Sequence, residues 1–446
     1  MTQSRTPFVA TGLMLFALFF GAGNLIFPAY LGQQAGENIV SALIGFLLTG
    51  AGLPLLGVLA IVHSGSRDVQ ALASRVSPAY GIAFSTLLYL AIGPLFAAPR
   101  TATVSFEIAL LPFMENADAA TRAWALALFS MAFFAVAFWF AISPGKLVNR
   151  IGKVLTPVLL LAIAILVGYA ALNPIGPLQP AQGDYATHPL VNSIIVGYGT
   201  MDALASLVFA IIVIDAVRGM GISESRRVFR ITAQAGVVAA ACLALVYIFI
   251  ASMGASSVTG LGLLDNGAAI LAQSAQHYFG GPGKVLLAVI VLLACLTTAI
   301  GLISACAEYF NRLIPRISLR QFALIFTLVS GFLANKGLSG IISFSVPILM
   351  LLYPLTIVLI LLAFLDRTFA GSRRVYACTI GATLIVGLLD AWKTAFGFSP
   401  EFSSVLNRIL PFYEIGMGWL LPAACGFAVG LLWHFSRRKA ATALSR

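Results

Sequence analysis

Charge is what this chain lacks most. Asp, Glu, Lys and Arg make up only 9% of its 446 residues, while 60% are hydrophobic. A water-soluble protein of that composition would expose apolar surface it cannot cover, so the solvent for most of the chain is lipid. Chemistry-bearing motifs are missing as well. There is no GxxxxGK[ST] phosphate loop, and with it goes the usual sequence sign of ATP driving. There is no HExxH, and His63, His188, His277 and His434 lie near the ends of apolar runs or in loops with no paired-ligand spacing. Cys242, Cys295, Cys306, Cys378 and Cys425 form no CxxC and read as small apolar packing residues. Gly197-Tyr198-Gly199 has only a superficial likeness to a TVGYG ion filter. With no nucleophile–base or metal constellation, an enzyme is not expected. A net charge of +11 does not call for nucleic acid either, because the basic residues sit in short loops between apolar segments.

The apolar segments themselves are abundant. Windows of about 20 residues give an all-α polytopic membrane protein of about twelve transmembrane helices. They lie at roughly 9–32, 39–62, 80–112, 122–142, 152–172, 191–217, 231–253, 283–309, 318–335, 339–365, 375–392 and 413–435. The third is long enough to be strongly tilted, and the ninth is the shortest. Between the seventh and eighth, Leu261 to Phe279 reads as a short amphipathic helix over the outer face. With both termini inside, the inner segments carry 20 Lys and Arg and the outer ones 5, with Arg100 inside a span. That bias sets the orientation and supports an even number of spans. The apolar run from residue 9 continues to Gly32, which argues against a cleaved signal peptide.

Two spans are broken. The first contains Phe20-Gly21-Ala22-Gly23-Asn24-Leu25-Ile26-Phe27-Pro28, the sixth Gly197-Tyr198-Gly199-Thr200-Met201-Asp202. Hydrocarbon offers a freed backbone group no partner, so such interruptions must face protein or a cavity. Paired interruptions in corresponding halves point to the binding site of a secondary transporter. An exposed amide end suits a carboxylate and an exposed carbonyl end suits an ammonium or a metal cation. Gly21 and Gly23 permit close backbone approach, either to a ligand or to a packed helix. Asn24 adds a side-chain carbonyl and amide.

Asp202 lies about ten residues into its span, and a carboxylate at that depth is functional by default. It can pair with a substrate ammonium, with sodium or with Arg100, or exchange a proton. On the eighth span Thr297 and Thr298 follow Ala294; their hydroxyls are either hard ligands for a small cation or bonded back to their own helix. Arg100 and Glu107, seven residues apart on nearly one helix face, read as an ion pair or a gate. Glu308, Asp215 and Asp390 lie toward helix ends, where snorkelling or capping accounts for them.

Three stretches carry a resemblance. They are Gly12 to Pro28, Gly93-Pro94-Leu95-Phe96-Ala97-Ala98-Pro99-Arg100-Thr101-Ala102-Thr103-Val104-Ser105-Phe106-Glu107, and Gly197 to Asp202. Together with length and span count they resemble the bacterial branched-chain amino acid:cation symporters of the amino acid–polyamine–organocation superfamily. The resemblance implies the five-plus-five inverted repeat of the bacterial leucine/sodium symporter (LeuT-type), with helices 1 and 6 broken. The first repeat would be 7–172, the second 190–365, and helices 11 and 12 would fill 373–436 of one transporter domain. It implies a sodium site made by the carbonyls of Ala17 and Phe20 with Ala294, Thr297 and Thr298, whose spacing matches the related symporters. It places the substrate carboxylate on the amides around Gly21, Ala22, Gly23 and Asn24. The ammonium and side chain would meet Tyr198, Gly199, Met201 and Asp202, with Leu302 as a pocket wall.

The expectation is therefore a bacterial inner-membrane symporter with both termini cytoplasmic, importing leucine, isoleucine and valine with sodium by alternating access. Proton coupling through Asp202 is the alternative; a cation channel or an amino-acid sensor stands further away. No organic cofactor and no obligate protein partner are called for, and the surrounding partner is membrane lipid.

Overall fold

The computed structural model describes residues 7–114, 116–142, 161, 163–166, 168–170, 172–222 and 224–444. Its regular structure is helical. The helices are α1 (Pro7–Phe19), α2 (Ala22–Ala35), α3 (Ile39–Leu47), α4 (Leu53–Ser64), α5 (Val69–Ala73), α6 (Pro78–Leu90), α7 (Ala97–Ala109) and α8 (Ala119–Ala141). After them come α9 (Pro189–Tyr198), α10 (Asp202–Gly219), α11 (Ser225–Leu261), α12 (Gly267–Leu313), α13 (Leu319–Ala334), α14 (Gly337–Leu365), α15 (Arg373–Phe396), α16 (Pro400–Ile409) and α17 (Leu420–Leu444).

Among the described residues seven helical stretches are long and apolar enough to cross a membrane, eight if α9 and α10 count as one span. Twelve were expected. The first, ninth and twelfth spans correspond to apolar helices of 10–17 residues, and 152–172 lies largely outside the described residues. The third expected span is not one tilted rod. It is interrupted by a widened turn at Ala91–Leu95, where Gly93 leaves helical geometry (φ −93, ψ −117) just before Pro94. Proline removes a backbone donor and restricts the residue before it, which accounts for the break at that place. Leu261 to Phe279 is also divided. Leu261 ends α11, and Asn266 caps α12 by accepting from the amides of Ala268 and Ala269 at 2.9 and 3.0 Å. α12 then kinks at Gly280, whose φ of +61 lies in the left-handed region open to glycine.

The chain forms two compact units. One comprises Met1–Gly52, Tyr89–Asp202 and Gln234–Ser345, the other Leu53–Leu88, Ala203–Ala233 and Val346–Arg446. In the first, α2 meets α11 and the start of α12 backbone to backbone. A Cβ on Gly32 would overlap the Ala251 carbonyl, and one on Gly267 the Ile26 carbonyl. Such small-residue contacts let membrane helices approach closely where lipid supplies no hydrophobic drive. α7 runs along α12, and the end of α6 joins α12 too, with the Cys306 thiol donating to the Tyr89 carbonyl at 3.2 Å and the Tyr89 and Tyr309 rings stacked at 4.1 Å. The second unit contains the α15–α17 pair, closed by Gly426 against the Cys378 carbonyl. It also holds an ion pair between Arg75 and Asp366 at 2.8 Å, to which the Tyr376 hydroxyl donates.

Candidate functional site

The site is built from two interruptions in the first unit. α1 ends at Phe19, with the Phe20 amide still donating to the Phe16 carbonyl at 2.8 Å. If the helix continued, the Gly21 amide would close onto the Ala17 carbonyl. It donates instead to Asn24 Oδ1 at 2.9 Å. Gly21 is extended (φ −136, ψ −162), and α2 starts at Ala22. The geometry is half of a capping box, in which the third helical residue reaches back over the helix start. The amides of Ala22 and Gly23, as first residues of α2, have no carbonyl partner within that helix.

The second interruption has a tighter build. The amides of Gly199, Thr200 and Met201 each fold back to the carbonyl three residues earlier, at 2.9, 3.2 and 3.1 Å. Met201 takes φ +64, unusual for a side-chain-bearing residue and a conformation that surrounding structure must impose. α10 then begins at Asp202.

The two interruptions are bonded to each other. The Asn24 amide nitrogen donates to Asp202 Oδ2 and to the Tyr247 hydroxyl, which itself donates to Asp202 Oδ2 at 2.8 Å. Asn24, Asp202 and Tyr247 are all buried. This use of donors is self-consistent. Asn24 spends its oxygen on Gly21 and its two N–H groups on the other two residues, so its orientation is fixed. Tyr247, on α11, was not among the residues expected. The sequence signal was a phenol inside an apolar run, which needs a polar partner once buried.

Arg100 and Glu107 share α7 and turn to different partners. Arg100 Nη1 donates to the Gly199 carbonyl at 2.6 Å and Nη2 lies 3.4 Å from the Thr200 carbonyl. Its guanidinium also stands over the Phe27 ring, 5.3 Å from the centroid. The Glu107 carboxyl lies near the Asn266 side chain and the Leu338 backbone. Gly199 lies so close to Phe27 that a side chain there would collide with the ring.

On α12 both threonine hydroxyls donate to the Ala294 carbonyl, Thr297 at 2.8 Å and Thr298 at 3.1 Å. Thr298 Oγ1 additionally lies 3.4 Å from the Phe20 carbonyl oxygen, across the helix gap. A Cβ added to Gly21 would meet the Thr298 methyl at 3.1 Å. Phe20, Gly21 and Thr298 are thus brought together, with Ala294 one turn below. Leu302 is buried two turns further along α12, and Tyr198 is buried at the end of α9. Among the described residues no three of His, Cys, Asp and Glu come together as a metal-binding group.

Comparison with known proteins bears on this geometry. Residues 4–437 match the family model described as "Branched-chain amino acid transport protein". The branched-chain amino acid permease BrnQ of Bacillus subtilis is 44% identical over 436 residues, 98% of each chain. The branched-chain amino acid transport system 2 carrier protein of Pseudomonas aeruginosa is 43% identical, and BrnQ of Escherichia coli 39%, each over 95% of both chains. Among solved structures, the nucleobase-cation-symport-1 family transporter Mhp1 in a closed conformation aligns with a TM-score of 0.64 at 14% identity, covering 98% of this chain and 94% of that one. MhsT in complex with L-phenylalanine aligns with a TM-score of 0.53 at 14% identity, covering 96% and 98%. Both are LeuT-fold transporters, and at such low identity the likeness speaks for the fold alone.

Proposed function

The chain belongs to the branched-chain amino acid transport protein family, a family of multi-pass transporters and not of enzymes, and from that premise we propose that it is a sodium-coupled symporter importing leucine, isoleucine and valine. The observation that carries the reading is the bonded junction of two interrupted helices, Asn24 to Asp202 and Tyr247, with Phe20 and Thr298 on its flank. It works in the bacterial inner membrane with both termini in the cytoplasm, lipid being its only standing partner.

The substrate carboxylate takes the amides of Ala22 and Gly23, where the partial positive charge of α2 is concentrated. The ammonium faces Asp202. The apolar side chain lies against Tyr198, Met201 and Leu302, a wall that separates substrates by a methylene only weakly, on the order of 1–3 kcal/mol. All three branched substrates are therefore accepted.

Sodium sits between the carbonyls of Ala17, Phe20 and Ala294 and the hydroxyls of Thr297 and Thr298. A hydroxyl that donates to Ala294 keeps its lone pairs for a cation. Oxygens 3.4 Å apart, as in the Phe20–Thr298 pair, both reach an ion of calcium-like radius at about 2.4 Å. Ion and substrate then use opposite ends of the same interruption, and neither can leave that segment unaffected; alternating access about it couples their fluxes.

A second reading, proton coupling, draws on Asp202 itself, a buried carboxyl held by a phenol and an amide. One experiment separates the two. Purified protein is placed in lipid vesicles, and accumulation of labelled leucine is followed under an inward sodium gradient, an inward proton gradient, and neither. Accumulation with sodium alone supports the α1–α12 ion site. Accumulation with protons alone transfers the coupling to Asp202. Current without substrate indicates a channel, and binding without accumulation under any gradient indicates a sensor.

A further inference from the structure

Arg100 poses a problem that the transport reading leaves open. A guanidinium 3% exposed inside a membrane helix is costly unless something answers its charge. Here the direct contacts come from the carbonyl end of α9, with the Asp202 carboxyl close enough to attract the guanidinium as well. Gly199 and Thr200 accept from the two terminal nitrogens at 2.6 and 3.4 Å, at the end where a helix carries partial negative charge. The Phe27 ring adds its π face at 5.3 Å. These are the carbonyls an interrupted helix would otherwise offer to a cationic ligand, the substrate ammonium included.

We infer that Arg100 is a built-in cation that fills the carbonyl end of the α9/α10 interruption, positions that segment, and closes it to the substrate ammonium. The inference rests on the transport reading for its functional consequence. With a guanidinium in place, a second positive group on the Gly199 and Thr200 carbonyls meets like charge at contact distance. Recognition of the ammonium then passes to the Asp202 carboxylate. The same guanidinium leans on the start of α2. A Cβ added to Gly23 would stand 2.7 Å from Nη2 and 3.2 Å from the Thr200 Cα. Arg100 therefore also holds the amide end of one interruption against the carbonyl end of the other, and its positive field favours an anion there. Arg100 is a positioning residue, and its planar two-pronged reach across neighbouring carbonyls is something a lysine point charge reproduces only in part.

The test uses the full chain in lipid vesicles, with Arg100→Ala, Arg100→Lys and Arg100→Gln beside the unaltered protein. Arg100→Ala should lower leucine uptake by roughly tenfold or more, the scale of losing charge-assisted hydrogen bonds. Low-millimolar guanidinium chloride should restore uptake several-fold and saturably in that variant and not in the unaltered protein. Tetramethylammonium, which has no N–H to donate, should restore nothing. Arg100→Lys should retain more uptake than Arg100→Gln, because lysine brings both charge and N–H donors to the carbonyls while glutamine brings donors alone. If Arg100→Ala aggregates, this Lys–Gln comparison decides. Full uptake by Arg100→Ala, no restoration by guanidinium in folded protein, or Gln matching Lys would each overturn the inference. Thermal unfolding gives a readout free of transport: guanidinium should raise the melting temperature of Arg100→Ala alone. If the unaltered protein accumulates no leucine, the transport reading fails while the melting shift still decides the role of Arg100.

Discussion

At the α1/α2 interruption the chain closes its own gap: Gly21 extends, and Asn24 reaches back three residues to take its amide. At the α9/α10 interruption the backbone folds through three short-range bonds and a strained Met201, and the exposed carbonyls go to Arg100, a residue about a hundred positions away. The first is closed locally and lightly, so its carbonyl end still faces Thr298 and its amide end faces the junction. The second is sealed by a charge from another helix. What this teaches is a division of labour. On the proposed transport reading, the first interruption holds ligands at both ends, and the second is the wall that supplies Asp202.

The sharpest way to break that comparison is to cut the bond between the two. Asp202→Leu leaves the Asn24 amide and the Tyr247 hydroxyl buried beside an apolar side chain. Each lost acceptor costs about 1–3 kcal/mol, so initial rates of leucine uptake should fall on the order of a hundredfold. Near-normal uptake in vesicles carrying matched amounts of protein would mean that the interruptions work independently.

The carbonyl end of the first interruption, proposed to take the ion, comes next. Thr298 reaches across to Phe20, whereas the Thr297 hydroxyl donates to Ala294 within its own helix. Thr298→Ala should raise the sodium concentration for half-maximal uptake by about tenfold, and Thr297→Ala by about threefold at most, on the scale of one lost polar contact to a charged group. Titrating uptake against sodium with choline as the replacement cation measures both. Equal effects would return the threonine pair to plain helix back-bonding. Tyr247→Phe is milder, since the Asn24 bond to Asp202 remains. The hydroxyl's two bonds, from Asn24 and to Asp202, go together; at the low end of about 0.5 kcal/mol net each, uptake should drop about fivefold.

These residues differ in how far they were legible beforehand. The first interruption was plain in the chain, because Asn24 and Pro28 beside two glycines have no other easy use in a lipid-spanning helix. Its capping bond spans three residues, so the partner sits in the same motif. The LeuT-type fold was legible through long family-like stretches. Tyr247 was not, because a lone tyrosine in an apolar run looks like core, and its partners are 45 and 223 residues away. The partner of Arg100 was hidden for the same reason. Helix periodicity pairs it with Glu107, while the fold turns it to the backbone of a different helix. The break at Gly93 was written in the Gly93-Pro94 pair and hidden by context, since membrane helices often tolerate proline when neighbours satisfy the freed groups.

Glycine at the first interruption gives the smallest and most discriminating expectation. Gly21 has φ −136 and ψ −162, an extended conformation open to any residue, so no backbone penalty attaches to a side chain there. What restricts it is distance. A Cβ would stand 3.1 Å from the Thr298 methyl and 3.2 Å from its hydroxyl. That is tight by a few tenths of an ångström, and a side chain on one face of α12 can give by that much. Gly21→Ala should therefore leave the fold and the Asn24 bond intact and displace only the Thr298 hydroxyl. The expected result is a rise in half-saturating sodium of about two- to threefold, equivalent to well under 1 kcal/mol, with the half-saturating leucine concentration unchanged at high sodium. A shift in leucine affinity instead, with sodium dependence untouched, would mean that the glycine faces substrate and that the ion lies elsewhere. Either outcome fixes which end of the first interruption belongs to which ligand.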